Sequence, residues 1–315
     1  MVSLRQTVKS QQSLLVVVAA TVAGVAFPTL ASPLQPTIPA LVVGLVFTAF
    51  YGFEFADVGL EMRRLSTPIL VSLASVYVLV PLVLYPVATV ALSGELLLGV
   101  LVVLSAPVAA GSSIVWTRLS GGNTLLSTVI VLASMLLAPL VMPAIISVLG
   151  DSAADIAAGE LFLELGAIVV IAAVFAVLVP GGTVSDRQLD GFSVATMGAL
   201  IYVGVGGSTL SIAPSSLAFV VGIAVAALGL SVGLAYALSA RGYHDDDCIS
   251  VLFSSSMKNL SVAVMVGAMF GGGAIIAAIT AFHVTQQLVS SSLVRRLAAS
   301  PAETSEALPA SQPGD

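Results

Sequence analysis

The chain has 315 residues, of which 58% are hydrophobic and only 8% charged, with a net charge of −6. A soluble domain of this length has nowhere to bury so much apolar surface, so the composition excludes an ordinary globular or nucleic-acid-binding protein and makes the lipid bilayer the first partner. One cysteine, Cys248, excludes a disulfide framework and a cysteine-based metal site.

Apolar runs are predicted to cross the membrane at roughly 13–31, 39–60, 69–92, 96–120, 124–149, 160–179, 192–213, 215–239, 248–270 and 274–294, since ~20 apolar residues span ~30 Å of hydrocarbon. The first run, after Arg5 and Lys9, imitates a secretory signal, but it is too long for one and is expected to stay. The connecting turns carry Gly, Pro, Asn or Ser: Ser32-Pro33, Ser93-Gly94, Gly121-Gly122-Asn123, Gly181-Gly182, Pro214-Ser215 and Gly271 to Gly273.

Basic residues fall in every second gap. Arg5 and Lys9 precede the first run; Arg63 and Arg64, Arg118, Arg187 and Arg241 follow in alternate gaps; Arg295 and Arg296 close the series. Positive charge stays on the cytoplasmic side, so this alternation predicts a multi-pass cell-membrane protein with both termini in the cytoplasm. The expected fold is all-α with ten transmembrane helices. Residues 1–294 are expected to form the transmembrane domain, and 295–315, rich in Ala, Ser, Pro and Glu, a disordered cytoplasmic tail.

The longest polar gap, Gly150 to Gly159, follows the fifth run. A second set of five helices then enters from the opposite face. This predicts two inverted five-helix repeats, about 13–149 and 160–294, as in many secondary transporters. Spans four and nine occupy the same place in the two halves. Both are interrupted mid-membrane, by Ser105-Ala106-Pro107-Val108-Ala109-Ala110-Gly111-Ser112-Ser113 and by Ser254-Ser255-Ser256-Met257-Lys258-Asn259. Broken helices at that depth line a cavity or lie buried in protein.

Lys258 is the one basic residue inside an apolar run. At ~1.5 Å per residue it sits ~15 Å from either surface, too deep for its stem to reach water. Such a charge is either paired structurally, with Glu54 or Glu164 as the available carboxylates, or used in transport, and the second is the default for an intramembrane charge. Glu54 and Asp57 share one helix face and read as interfacial charges facing Arg63 and Arg64. Glu164 reads as an interfacial anchor, and Arg118 as a topology charge. Gly204, Gly206 and Gly207 read as helix-packing positions. His283 is deeper, and is either a satisfied core group or a cavity lining. No phosphate loop, His/Cys cluster or nucleophile with a base is present, so neither enzyme chemistry nor a cofactor is expected.

Spans four and five resemble the bile acid:sodium symporter family through Pro107, Ala109, Gly111, Ser113-Ile114, Thr117, Gly122-Asn123, Leu126-Ser127, Ala138-Pro139 and Pro143-Ala144. Span nine resembles it through Met257-Lys258-Asn259, and His283 matches a histidine of the family's last span. The resemblance implies a ten-helix alternating-access carrier. It also implies that sodium coupling is lost: the family's sodium-binding Asn, Thr, Glu and Gln fall on Ile114, Val131, Ser254 and Lys258, and a span-three Gln falls on Val76. Only Ser113 and Ser127 remain among the side-chain ligands.

The expected function is therefore secondary transport of a small organic anion with Lys258 in place of the coupling cation. The expected site comprises Lys258, Asn259, Ser254, Ser256, Ser112, Ser113, Thr117, Ser127 and His283. The ammonium is expected to hydrogen-bond Ser113, Ser127 and the carbonyls freed by the two breaks. It either remains a fixed internal cation or exchanges a proton, and the proton is then the coupling ion. Two alternatives stand beside this: an arsenite or metalloid exporter, whose span-four cysteine falls near Ala110, and a retinal-type pigment bound at Lys258. Neither substrate identity nor oligomeric state is legible.

Overall fold

Inside a bilayer every backbone N–H and C=O must find a partner within the protein, and a helix does this locally. The computed structural model describes residues 15–16, 18–51, 62–150, 158–206, 213–270 and 273–299, and these are helical almost throughout. A first helix, α1 (18–26), leads through one turn, Pro28–Ala31, and a 3₁₀ turn, Ser32–Thr37, into α2 (Ile38–Phe50). There follow α3 (Met62–Ala74), a π-helical turn Ser75–Leu79 and α4 (Val80–Thr89), which run on without a gap. Next come α5 (Gly94–Ser105), α6 (Ala110–Leu119), α7 (Thr124–Leu149), α8 (Ala158–Leu178), α9 (Asp186–Gly206) and α10 (Pro214–Ser239). The chain closes with α11 (Asp245–Ser256), α12 (Leu260–Met269) and α13 (Gly273–Ala299).

Seven stretches among the described residues are long and apolar enough to cross a membrane alone: Pro28–Thr48, Leu65–Thr89, Thr124–Leu149, Gly159–Leu178, Arg187–Gly206, Pro214–Ser239 and Gly273–Val294. Their outward faces carry the apolar residues that lipid requires, among them Leu70, Val148 and Val177. The multi-pass membrane protein read from the sequence is therefore present. Predicted spans four and nine do not count by length, because each is two short helices. α5 has 12 residues and α6 has 10; α11 has 12 and α12 has 10. The breaks fall at residues 106–109 and 257–259. Glu54, Asp57, Gly207 and residues 300–315 lie outside the described residues, as do the basic residues Arg5 and Lys9.

α2 packs on both α8 and α9; of the helices that lead into the two breaks, α5 packs on α7 and α13, and α11 on α7 and α10. Close approach depends on small residues, as is usual where lipid removes the hydrophobic drive between helices. A Cβ at Gly99 would stand 2.7 Å from the Ile275 carbonyl, so only glycine lets α5 lie against α13. Pro139 and Pro143 sit inside α7 and leave it continuous over 26 residues, because neighbouring helices tolerate their bends in a bundle.

Candidate functional site

The two breaks lie against each other. Pro107 has no N–H and cannot continue α5, so the chain extends through residues 106–109 before turning helical again at Ala110. The second break does the same through Met257 and Lys258. Val108 and Lys258 form an isolated antiparallel bridge, the only β pairing among the described residues. Ala109 N–H donates to the Met257 carbonyl at 2.9 Å, and Asn259 N–H donates to the Pro107 carbonyl at 2.8 Å. Each break thus supplies the backbone partners that the other lost by leaving the helix.

Side chains complete the crossing. Ser134 Oγ on α7 accepts from Val108 N–H at 3.0 Å and donates to the Val131 carbonyl. Gln286 on α13 takes both polar groups of the Lys258 peptide unit: its Oε1 accepts from Lys258 N–H at 3.1 Å and its Nε2 donates to the Lys258 carbonyl at 3.0 Å.

The Lys258 side chain is 1% exposed. Its Nζ donates to the carbonyls of Val76 at 2.7 Å, Leu104 at 2.7 Å and Ala106 at 3.3 Å. The Val76 carbonyl lies in the π-helical turn, where the wider i→i+5 pattern loosens the ladder. Leu104 and Ala106 lie at the C-terminus of α5, where carbonyls are unpaired and the helix dipole is negative. Three N–H donors therefore meet three carbonyl acceptors. Ser113 and Ser127 are not among these partners, contrary to expectation. They belong to a separate hydroxyl cluster, because the ammonium is drawn to the stronger field of the α5 terminus. Its acceptors are also not carboxylates, which removes the structural ion pair with Glu164.

That cluster is fully buried. Ser127 Oγ lies 3.1 Å from Ser113 Oγ and 3.0 Å from Ser254 Oγ, and Thr117 Oγ1 reaches it at 3.4 Å. Four hydroxyls from α6, α7 and α11 thus satisfy one another without a carboxylate. Ser256 Oγ turns back to the Phe253 carbonyl of its own helix. Asn259 caps α12, accepting from Val262 N–H at 3.1 Å, and its Nδ2 touches the Met135 sulfur. The N-terminus of α6 differs. Ala109 offers no side-chain cap, and Gly111 beside it is exposed with open space where a Cβ would be. An uncapped helix N-terminus carries unpaired N–H groups and a partial positive charge.

Beside α6 runs a polar chain on α13. Trp116 Nε1 donates to Gln287 Oε1 at 2.9 Å, which turns the Gln287 amide nitrogen toward His283 Nε2, 3.4 Å away. Gln286 Nε2 lies 3.0 Å from His283 Nδ1. An indole N–H and a backbone N–H can only donate, so the orientation of both amides is set. Both amides thus turn an N–H toward the ring, and a neutral imidazole accepts at only one of its two nitrogens, so at the other a ring N–H and an amide N–H face each other as two donors. Ser112 stands one turn before Trp116, as His283 stands one turn before Gln287, and both helices run toward their basic ends. The Ser112 hydroxyl is buried and has no protein hydrogen-bond partner. It is thus a buried donor without an acceptor beside the open end of α6, an arrangement suited to an anionic oxygen.

Sequence reasoning named Lys258, Asn259, the serines, Thr117 and His283. The structure joins Ser113, Thr117, Ser127 and Ser254 in one cluster and links Lys258 to His283 through Gln286, while Ser256 turns to its own helix, Asn259 caps α12 and Ser112 has no protein partner. Sequence reasoning missed Gln286, Gln287, Ser134 and the Val76 carbonyl. A pair of glutamines inside an apolar run was a usable signal for the first two; a backbone carbonyl has none.

The sequence profile described as the Sodium Bile acid symporter family matches residues 38–237. The matched stretch ends before α11, so Lys258 and His283 lie beyond it. No curated protein matches the chain.

Proposed function

The chain belongs to the sodium bile acid symporter family of membrane transporters, and from that premise we propose that it carries a small organic anion by alternating access, with the Lys258 ammonium in place of a coupling metal cation. The observation that carries this reading is the shell of Lys258. One buried ammonium ties the π-helical turn after α3 to the end of α5 and, through its own backbone, to the break between α11 and α12. A bound cation would do the same work by drawing carbonyls together.

The hydroxyl cluster of Ser113, Thr117, Ser127 and Ser254 supports the loss of sodium coupling. Its oxygens are turned on one another, and Ile114 and Val131 offer no oxygen at all. The anion is read to dock at the open N-terminus of α6, against the Ser112 hydroxyl, with His283 and Gln287 on the neighbouring α13. The equal lengths of the two pairs of half-helices, and their antiparallel crossing, support ten crossings arranged as inverted repeats. The alternation of basic residues supports cytoplasmic termini in the cell membrane.

The coupling ion in this reading is a proton. A neutral amine has two N–H groups and a lone pair, so losing the proton would release one carbonyl and turn the lone pair toward it. Deprotonation thereby unties the three elements that the ammonium joins. The match of three donors to three acceptors favours a second reading, in which Lys258 stays charged and the protein is a uniporter or exchanger. Arsenite export would lack a thiolate at Ala110, since Cys248 is the one cysteine and lies on α11. A pigment would lack a carboxylate counter-ion among the partners of Nζ.

The deciding experiment has two steps. A thermal-shift screen of small carboxylates, with and without sodium, identifies a ligand. Its uptake into proteoliposomes is then measured against pH for wild type and Lys258→Gln. A pH-dependent uptake that Lys258→Gln abolishes supports proton coupling; a shared, unchanged pH profile rejects it.

A further inference from the structure

We propose that Ser72, Ser75 and Ser255 line a file of internal water that carries protons between the cytoplasm and the Lys258 ammonium. This rests on the reading of Lys258 as the group that exchanges the coupling proton, and it assigns the side from which that proton comes.

The three hydroxyls are 0%, 2% and 1% exposed, and none has a hydrogen-bond partner in the protein. A buried hydroxyl without a partner costs ~1–3 kcal/mol, so three at one interface call for a common acceptor. They lie on helices that pack on each other. Ser72 and Ser75 lie on the buried face of α3 and its π-helical turn, which packs on α11 and α7. On α11, Ser254 points to Ser127 of α7, and Ile249 abuts Gly122 of the loop before it. Ser255 is ~100° further round the helix and faces away from Ser254, on the part of α11 that α3 and α10 pack against.

The interface also leads to the right place. Val76, next to Ser75, gives its carbonyl to Lys258 Nζ, and Ser255 precedes Lys258 by three residues. α3 begins at Arg63-Arg64 and α11 begins after Arg241, the ends read as cytoplasmic. All three hydroxyls therefore lie between that surface and the ammonium. A hydroxyl both donates and accepts, which a proton-carrying water file requires.

No other titratable group near Lys258 serves as well. Tyr77, on the same π-helical turn, spends its hydroxyl on the Ser134 carbonyl. His283 on α13 is engaged with Gln286, and Asp247 at the base of α11 accepts from Asn123 Nδ2. α7 carries no titratable residue, Glu95 of α5 is exposed at its far end, and Arg118 of α6 is exposed.

The sequence makes the test clean, because Lys9 and Lys258 are the only lysines. In Lys9→Arg protein labelled with ¹³Cε,¹⁵Nζ-lysine, the single lysine signal reports Lys258. Exchange of its Nζ hydrogens with solvent should slow several-fold in Ser72→Ala/Ser75→Ala/Ser255→Ala. Ser290→Ala, which removes a buried unpartnered hydroxyl from α13, should leave it unchanged. Equal exchange in the triple variant and wild type overturns the proposal. A second measurement needs only one substitution: Ser75→Cys in a Cys248→Ala background should react with a small methanethiosulfonate reagent from the cytoplasmic side of inside-out vesicles. No reaction, or reaction from the outer side alone, overturns it. The ¹³Cε shift against pH reads the underlying premise separately. A flat titration rejects proton coupling, while slowed exchange in the triple variant would still establish the water file.

Discussion

Gln286 and Lys258 are joined twice through the backbone of the lysine: Lys258 N–H donates to the Gln286 side-chain oxygen at 3.1 Å, and the Gln286 amide donates to the Lys258 carbonyl at 3.0 Å. Residue 258 has left its helix and can make neither bond within its own segment. Gln286→Leu removes both and leaves two buried backbone groups unpaired, each costing ~1–3 kcal/mol. The expected result is a lower melting temperature in detergent, with Gln286→Glu intermediate because it keeps the acceptor. An unchanged melting temperature for Gln286→Leu would show that the break is held otherwise.

Lys258→Met should destabilise more than Lys258→Gln. Methionine fills the volume but leaves the Val76, Leu104 and Ala106 carbonyls without donors, whereas a glutamine amide supplies two N–H groups. Melting temperatures of the two variants check this order, and the reverse order would mean that the carbonyl shell contributes little to the fold.

Transport should not require sodium. Replacing sodium by choline at constant ionic strength and membrane potential should leave the initial uptake rate of the identified anion unchanged within about twofold, a difference of under ~0.5 kcal/mol. A steep, saturable rise with sodium would mean that the hydroxyl cluster opens to admit a cation.

The anion should compete for the open end of α6. Gly111→Val places a side chain where the helix N-terminus is exposed, and Ser112→Leu removes the unpartnered hydroxyl and adds bulk next to it. Both should abolish the ligand-induced thermal shift while the unliganded melting temperature changes little. A ligand stabilises by mass action, ~2.7 kcal/mol at a hundredfold excess over Kd, so its loss is readily measured. A retained shift in both variants would move the site elsewhere.

Much of this protein could be read without coordinates. Apolar runs of ~20 residues can only be buried in lipid, and charge at their ends obeys the membrane's asymmetry, so class and expected topology follow from composition and order. Pro107 marks the first break because a ring nitrogen has no hydrogen to donate. Lys258 marks the second because a charge at that depth must be held by something. Two of the expected stretches, around Glu54 and the C-terminal tail, fall outside the described residues.

What holds Lys258 was decided only by the tertiary structure. Its acceptors are the carbonyls of Val76, Leu104 and Ala106, and every residue has a carbonyl, so no side-chain pattern distinguishes them. Val76 becomes an acceptor through a π-helical turn, and Leu104 and Ala106 through the end of α5, both of which are backbone geometries. The pairing of Val108 with Lys258, 150 residues apart, likewise depends on the two halves meeting at their breaks. The sequence by itself determined that a lysine lies in the middle of an interrupted apolar run, because hydrophobicity and proline are properties of residues. Which oxygens that lysine meets, and why Ser113 and Ser127 turn to each other, are properties of backbone placement, which only the folded chain possesses.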